Sequence, residues 1–430
     1  MKKQQQGRRQ RPRPTKPSAV EGTPGAGTHG AGATLEVGIE RIVPGGAGLA
    51  HAGGRTLFVP LTAPGDRVRV RVERVRGKVA FASLVEVVTP APSRVEPPCP
   101  YFGRCGGCDF QQLTYEAQLA AKVEIIRDCL RRIARIDPPA EISIMPSPDI
   151  WRYRSRARWQ HDASRQLLGY YELASHRICD VIECPVVIPE VQAKLTHLRA
   201  TLGEGAHAAA NELEEFQAVA GDNGVSLVPP LAEDDARERF RLIAGERYRF
   251  NADCFFQINH TLLEPLLAEA LKGAGSNSSS GGETAVDLYC GVGLFTLPLA
   301  RRFARVTGIE GNAEAAAFAR LNLADAGLSN AEIKTARVGE WLSHHAPNLA
   351  PVDFLLLDPP RAGAEAETIA GIIATAPQRI AYVSCDPATL ARDLRALLDA
   401  GFTLDTIKAF DMFPQTHHVE TVAHLKRASS

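Results

Sequence analysis

The stretch Val286-Asp287-Leu288-Tyr289-Cys290-Gly291-Val292-Gly293-Leu294-Phe295-Thr296 reads as a strand ending in an acid, a Gly-x-Gly turn and the start of an amphipathic helix. Glycines at such a turn let the backbone approach a ligand closely. Roughly twenty residues on, Val306-Thr307-Gly308-Ile309-Glu310 is a second strand ending in an acid, the position at which a carboxylate holds ribose hydroxyls. Thr296 stands where the dinucleotide fingerprint has its third glycine. Asp287, Gly291, Gly293 and Glu310 together therefore favour S-adenosylmethionine over NAD; the bland alternative is a βα turn without a ligand. From Thr284 onward strand, turn and helix alternate, which predicts an α/β, doubly wound, Rossmann-like sheet.

Two more strands of that sheet end in chemistry. Phe354–Leu357 runs into Asp358-Pro359-Pro360-Arg361. Ligands of open α/β sheets sit beyond the carboxyl ends of the strands, so Asp358 is well placed. Methyltransferases acting on exocyclic amines often have an aromatic residue after Asp-Pro-Pro, and Arg361 argues against that chemistry. Ile380–Val383 runs into Ser384-Cys385-Asp386-Pro387, which makes Cys385 a candidate nucleophile on the same edge, against the commoner fate of a buried structural thiol. Glu420 follows His417-His418-Val419 and reads either as a general base or as a solvated acid. The histidine pairs at 344–345 and 417–418 read as surface residues.

Toward the N-terminus the composition changes. Lys plus Arg number 49 and Asp plus Glu number 49 over 430 residues, a net charge of zero that at face value argues against a polyanion partner. The zero is a sum of halves: residues 1–98 carry 16 basic and 7 acidic side chains, and the rest carry 33 and 42. Residues 1–33 are basic and Gly/Pro-rich, expected to be a disordered tail. No apolar stretch follows their charges, so no secretory signal is expected, and no apolar run suggests a membrane span. Residues 34–92 are expected to form a small β-barrel. Arg67-Val68-Arg69-Val70-Arg71-Val72 puts valines inward and arginines outward, either for phosphate or as edge protection. Pro90–Pro98 reads as a linker.

The central part, 93–245, opens with Cys99, Cys105 and Cys108, spaced by five residues and two. The five-residue gap favours an iron–sulfur cluster over zinc, and Cys184-Pro185 is the preferred fourth ligand over Cys129, Cys179 and Cys254. Residues 115–135 look helical, with Leu119, Val123, Ile126 and Leu130 on one stripe, and this helix is expected to pack on the catalytic domain. Residues 151–185 return to strands. In Trp151–Trp159 the even positions are Arg152, Arg154, Arg156 and Arg158. On a strand they form a guanidinium ladder, suited to an RNA backbone or to acids of another domain. Residues 205–240 read as a helical or loop connection, and Gly273–Gly282 as a flexible loop. The remaining domain is 246–430.

In combination these motifs resemble the RNA uracil-5-methyltransferase family from about residue 34 to 428, the large-subunit 23S rRNA type most of all. The resemblance implies an RNA-binding TRAM barrel in front. It implies a 4Fe-4S cluster on Cys99, Cys105, Cys108 and Cys184. In Cys254–Asn259 it gives Gln257 a cofactor contact and Phe255 a stacking role on the target base. Tyr289 and Glu310 match cofactor positions, Asp358 the acid beside cofactor and uracil, Cys385 the nucleophile and Glu420 the proton acceptor. Two departures stand out. Leu294 replaces an Asn, and Asp386 replaces the Asn after the nucleophile, where its charge should raise the thiol's pKa. The family acts on rRNA or tRNA, so a cytoplasmic monomer is expected. A radical S-adenosylmethionine enzyme carrying a TRAM domain and a non-catalytic RNA-binding protein are the rival readings.

Overall fold

In the computed structural model the described residues are 30–203, 214–232, 235, 237–275, 282–346, 349 and 351–428. Residues 1–29 of the expected tail and 276–281 of the expected loop lie outside them. The strands β1 (Thr34–Gly38), β2 (Arg41–Ile42), β3 (Gly48–Ala52), β4 (Arg55–Val59), β5 (Arg67–Arg76) and β6 (Val79–Thr89) make one sheet in the order β1-β5-β6-β4-β3-β2. Val68, Val70 and Val72 are buried against Val37, Leu57 and Val59, while Arg67, Arg69 and Arg71 face solvent, as the alternation predicts. Three register shifts between β5 and β6 bend the long pair, the usual effect of bulges in a closing sheet. The proline-rich 90–98 stretch is not a loose linker. Arg94 inserts its guanidinium onto the buried carboxylate of Asp66, at 2.8 Å, and onto the Leu61 carbonyl.

The next segment joins the catalytic half. Helix α1 (Tyr115–Cys129) starts at Thr114, whose hydroxyl accepts from Ala117 N, and continues as a wider π turn over Leu130–Ala134. It packs on the helix Pro387–Asp399. Strand β7 (Ile144–Met145) then becomes an edge strand of the catalytic sheet. The buried face of α1 is Gln118, Ala121, Lys122, Ile125, Ile126 and Cys129. This is rotated from the Leu119–Val123 stripe, because the buried polar partners Gln415 and Asp411 draw Gln118 and Lys122 inward. Residues 115–145 thus go with the C-terminal domain rather than with the central one.

The central sheet is antiparallel, in the order β10-β9-β8-β11-β12: β8 (Arg156–Asp162), β9 (Leu167–Tyr171), β10 (Ile178–Asp180), β11 (Glu215–Gly221) and β12 (Gly224–Val228). Val191, Leu195 and Leu198 of α2 (Pro189–Gly203) cover it by packing with Trp159, Phe216 and Leu227. The stretch expected to be a helical or loop connection therefore supplies two strands. Phe216, Ala218 and Ala220 alternate inward, but alanines carry little of the strand signal. A hairpin of β13 (Arg239–Ile243) and β14 (Glu246–Phe250) straddles the expected boundary at 245.

The last domain runs α3 (Leu263–Ala270), β15 (Gly282–Leu288), α4 (Thr296–Ala300), β16 (Phe303–Glu310), α5 (Ala313–Asp325), β17 (Ala331–Thr335), α6 (Val338–His345), β18 (Phe354–Leu357), α7 (Ala366–Thr375), β19 (Arg379–Ser384), α8 (Pro387–Asp399), β20 (Phe402–Phe410) and β21 (Glu420–Arg427). Its eight-stranded sheet has the order β17-β16-β15-β18-β19-β21-β20-β7, with β15 to β19 parallel and β21 antiparallel to both neighbours. Apolar cores fill both faces, as the doubly wound expectation requires. Strand order reverses between β15 and β18, and the crevice at that switch point is where such sheets bind ligands. Among the described residues no helix is long and apolar enough to cross a membrane.

Candidate active site

The turn after β15 is left-handed at Tyr289 (φ 62°), Gly291 (φ 55°) and Gly293 (φ 90°), a conformation that glycine adopts without steric cost. It brings the Gly291 amide to Glu310 at the end of β16, where N–H donates to Oε2 at 2.8 Å. The Asn312 amide donates to the other carboxylate oxygen at 2.6 Å. Glu310 is thereby fixed at the crevice mouth. Asp287 is fully buried below it. Its Oδ2 accepts from the Thr296 hydroxyl at 2.5 Å, and its Oδ1 has no partner. Burial pushes this carboxyl up to about 8. Thr296, the residue that breaks the dinucleotide fingerprint, is thus the partner of the crevice acid. The Tyr289 hydroxyl lies 3.1 Å from Thr368 Oγ1. Leu294 is packed in the core, so the substitution noted there is absorbed by apolar packing.

The reacting groups meet across β18, β19 and β21. Ser384 pairs with Thr421 in the antiparallel register, which sets Cys385 beside Glu420. Cys385 is half-buried and its thiol is pushed up to about 12, chiefly by burial, then by the carboxylates of Glu420 and Asp358, with Arg361 opposing. Asp386 contributes least. Its side chain turns away to cap α8, accepting from the Ala388 and Thr389 amides at 2.8 and 3.0 Å. Asp386 does raise the thiol, as its position implies, but by less than burial and the carboxylates of Glu420 and Asp358. Glu420 is 1% exposed and its Oε1 has no partner. Burial, then Asp358, holds its carboxyl well above the usual range. Asp358 accepts from Gln257 Nε2 at 3.2 Å, and burial raises it to about 7. In the same 254–259 segment, Phe256 is buried and stacks on Phe250 at 4.3 Å, while Phe255 is 61% exposed. Gln257, Asp358, Cys385 and Glu420 are therefore brought together, with Phe255 presenting a free ring from the strip that carries Gln257.

Cys99, Cys105, Cys108 and Cys184 line one small cavity of about 80 Å³, together with Tyr101, Phe102, Gln111, Arg154 and Tyr170. None of the other cysteines does: Cys129 lies in the core under α1 and Cys254 in the catalytic core. Among the described residues, no three His, Cys, Asp or Glu side chains converge tightly as ligands of a single ion.

Comparison with known proteins agrees with this geometry. Residues 231–428 match the family described as tRNA (Uracil-5-)-methyltransferase, and residues 31–85 match the TRAM domain. An RNA methyltransferase of Thermosynechococcus vestitus is 33% identical, with 92% of this chain and 98% of that protein aligned. A 23S rRNA (uracil(1939)-C(5))-methyltransferase of Vibrio parahaemolyticus is 32% identical over 91% of this chain and 95% of its own length. The chain belongs to the RNA uracil-5-methyltransferase family. It is an S-adenosylmethionine-dependent enzyme with a TRAM barrel in front. Among solved structures, the tRNA (uracil-54, C5)-methyltransferase of Pyrococcus abyssi bound to S-adenosyl-L-homocysteine aligns with a TM-score of 0.69 and 27% identity. The alignment takes in 91% of this chain and all of that one.

In this family member the central arginines depart from the expected ladder. Residues 152–155 do not continue β8: Arg152 sits at a bend with φ 52°, and Arg154 bridges to Val187 and Asn259. Arg154 Nε donates to the Arg156 carbonyl at 2.9 Å. Arg156 is an internal tie, donating to the carbonyls of Cys254 and Ala252 and to Gln217 Oε1. Arg158 pairs with Glu215 at 3.4 Å. The alternation is real, but the pairing that would make it one face begins only at Arg156. Arg156 is thus corrected from a free guanidinium to the brace of the Phe255–Gln257 strip.

Sequence reasoning missed a polar network behind Glu420. Lys122, with no exposed side-chain surface, pairs with the buried Asp411. His417 and His418 are not surface residues. Nδ1 of His417 lies 2.5 Å from Asp109 Oδ2, and burial lowers His418 to about 3, which keeps its ring neutral. A lysine within an apolar helical stretch was the one signal in the chain. The histidines offered none, because their partners lie about three hundred residues away.

Proposed function

We propose that this protein methylates C5 of a uridine in 23S rRNA through a covalent adduct on Cys385. The carrying observation is the β19–β21 register that sets Cys385 beside Glu420, with Asp358 and Gln257 opposite. The 23S assignment rests on the relatives at 32–33% identity. S-Adenosylmethionine supplies an electrophilic methyl group and a positive charge, and a crevice holding Asp287, Glu310 and Asp358 with an unpaired buried oxygen suits a sulfonium. Gly291, Gly293, Tyr289, Glu310 and Gln257 would frame it.

Uracil C5 is too weak a nucleophile alone. The Cys385 sulfur adds to C6, its proton passing to a neighbouring carboxylate, and the C5–C6 electron pair moves onto C5 and O4. C5 then attacks the methyl carbon and the sulfonium leaves as a thioether. Glu420 takes the C5 proton, the C5–C6 double bond re-forms and the Cys385 sulfur is expelled. A carboxyl raised by burial is matched to such transfers near neutral pH. Phe255 would stack on the unstacked target nucleotide. Cys99, Cys105, Cys108 and Cys184 fit a 4Fe-4S cluster in their shared cavity, as holders of the fold with no part in the steps above.

The test is methyl transfer from labelled S-adenosylmethionine to unmodified 23S rRNA and to unmodified tRNA, with 5-methyluridine mapped in each. Label in 23S rRNA, lost in Cys385→Ser and independent of added reductant, is the expected result. Label in tRNA alone would transfer the assignment to tRNA, which the Pyrococcus likeness favours. A requirement for dithionite, or no label in either RNA, would overturn the proposal.

A further inference from the structure

Glu420 is delivered by the 411–419 connection between β20 and β21, and four other parts of the molecule meet that connection. The cysteine loop grips it hardest. The amides of Asp109 and Phe110 both donate to the Gln415 carbonyl, at 3.1 and 3.0 Å. The Asp109 carboxylate then takes the His417 amide on Oδ1 at 2.8 Å and the His417 ring on Oδ2 at 2.5 Å. Helix α1 adds a reciprocal amide pair: Gln118 Nε2 donates to Gln415 Oε1 at 3.0 Å, and Gln415 N donates to Gln118 Oε1 at 2.9 Å. Lys122 holds Asp411 and donates to the Phe413 carbonyl at 3.0 Å, and the Tyr153 hydroxyl donates to the Pro414 carbonyl at 2.9 Å. The barrel touches the same point. A Cβ on Gly46, in the turn between β2 and β3, would stand 2.9 Å from both Asp109 Oδ2 and His417 Cβ.

Backbone strain indicates that these contacts impose the path. Gln415 is non-glycine at φ 68°, a conformation that persists only where the surroundings over-determine it. Glu420 makes no compensating bond of its own through Oε1, so its side chain depends on where β21 begins, paired to Phe410, and on the connection that leads into it.

We propose that Asp109 is a positioning residue for Glu420. Through His417 it clamps the 411–419 connection, so that the cysteine loop and the barrel turn together set the proton acceptor. This rests on the reading of Glu420 as the base that resolves the Cys385 adduct. A clamp of that kind acts on the last step, not on RNA capture. Asp109→Ala and His417→Ala should each lower kcat about tenfold to a hundredfold, the scale of a sub-ångström to one-ångström misplacement, with KM for RNA unchanged. Methylated RNA should accumulate as an SDS-stable adduct on Cys385, because the C5 proton is removed late. Asp109→Asn, which keeps a carbonyl acceptor for the His417 amide, should recover most of kcat and clear the adduct.

The experiment measures multiple-turnover methyl transfer, giving kcat and KM for RNA, together with adduct fraction in the purified full-length chain, with iron per chain determined in parallel. Glu420→Gln serves as the reference. If Glu420→Gln neither slows turnover nor builds adduct, the reading of Glu420 fails, whatever Asp109 does. If Glu420→Gln builds adduct while both Asp109→Ala and His417→Ala turn over like the parent, the clamp is refuted. A loss of RNA affinity without adduct refutes it equally, since that is the mark of simple domain docking. Should Asp109→Ala lose iron, His417→Ala decides alone, because His417 touches the loop from the catalytic side.

Discussion

At the carboxyl edge of the catalytic sheet, Asp287, Glu420 and half-buried Asp358 and Cys385 are withdrawn from water, and Asp287 and Glu420 each keep one oxygen without a partner. On the barrel, Arg67, Arg69 and Arg71 stand in solvent, and each reaches a glutamate: Glu36, Glu86 and Glu73. Like charges crowded out of water raise one another's pKa and cost stability. Opposite charges paired in water cost little and contribute little. The first arrangement is costly on its own, and the proposed binding of a sulfonium and transfer of a proton would offset that cost. The second can be exchanged for phosphate with almost no structural loss.

The largest effect should come from disturbing the acid cluster. Asp358 and Glu420 titrate as a pair. With Asp358 raised to about 7, kcat/KM should climb as pH passes through the neutral range, since the pair bears its proton below it. Asp358→Asn should remove that limb and cut kcat by about 10²–10⁴. Stability should move the other way. A carboxyl whose folded pKa exceeds its unfolded value binds extra protons in the folded state, so its contribution declines as pH rises from about 4 to about 7. Thermal unfolding of Asp358→Asn should therefore exceed the parent at pH 8 and match it at pH 4. A flat parental profile across pH 6–8 would break the contrast between the two regions.

Arg156 tests an intermediate case, a part-buried guanidinium whose partners are neutral protein oxygens. Its removal leaves the carbonyls of Cys254 and Ala252 and the Gln217 oxygen short of a donor. Unmade buried hydrogen bonds cost about 1–3 kcal/mol each when nothing relaxes, so Arg156→Ala should lose about 3 kcal/mol in denaturant unfolding. Methyl transfer should fall too, because the strip carrying Phe255 and Gln257 loses its brace. Arg158→Ala, whose partner Glu215 is partly exposed, should cost less than about 1 kcal/mol. Equal losses for the two would mean that burial is not what separates them.

How much of this was readable from the chain depends on the range of the interaction. The barrel valines, the Gly-x-Gly turn and the strand-end residues Glu310, Asp358 and Cys385 follow from local pattern, and the structure places them on one barrel and one sheet edge. Arg152–Arg158 shows the limit. Its alternation matches that of Arg67–Arg71, yet only β5 is paired along its whole length, to β1 and β6. Residues 152–155 instead bond to Pro185–Ile188 and Ile258. The direction of Asp386 was likewise hidden: charge adjacency suggested a perturbed thiol, while the capping need of α8 claimed the carboxylate. Lys122–Asp411 and Asp109–His417 join residues close to three hundred positions apart, and no spacing rule reaches that far.

The smallest structural effect, and the one that sharpens the comparison most, belongs to the barrel. Replacing Arg67, Arg69 and Arg71 together by alanine removes three exposed cations and frees three glutamates. Stability should change by less than about 1 kcal/mol, because such pairs are individually weak. RNA affinity should drop clearly at low salt and much less at high salt. The slope of log K against log salt should flatten by about 0.7–0.9 for each phosphate that the arginines no longer neutralise. Filter binding across a salt series measures both at once. An unchanged slope would mean that Glu36, Glu73 and Glu86 keep these arginines from RNA. The row would then be edge protection for β5, and the barrel's grip on RNA would have to lie on another of its faces.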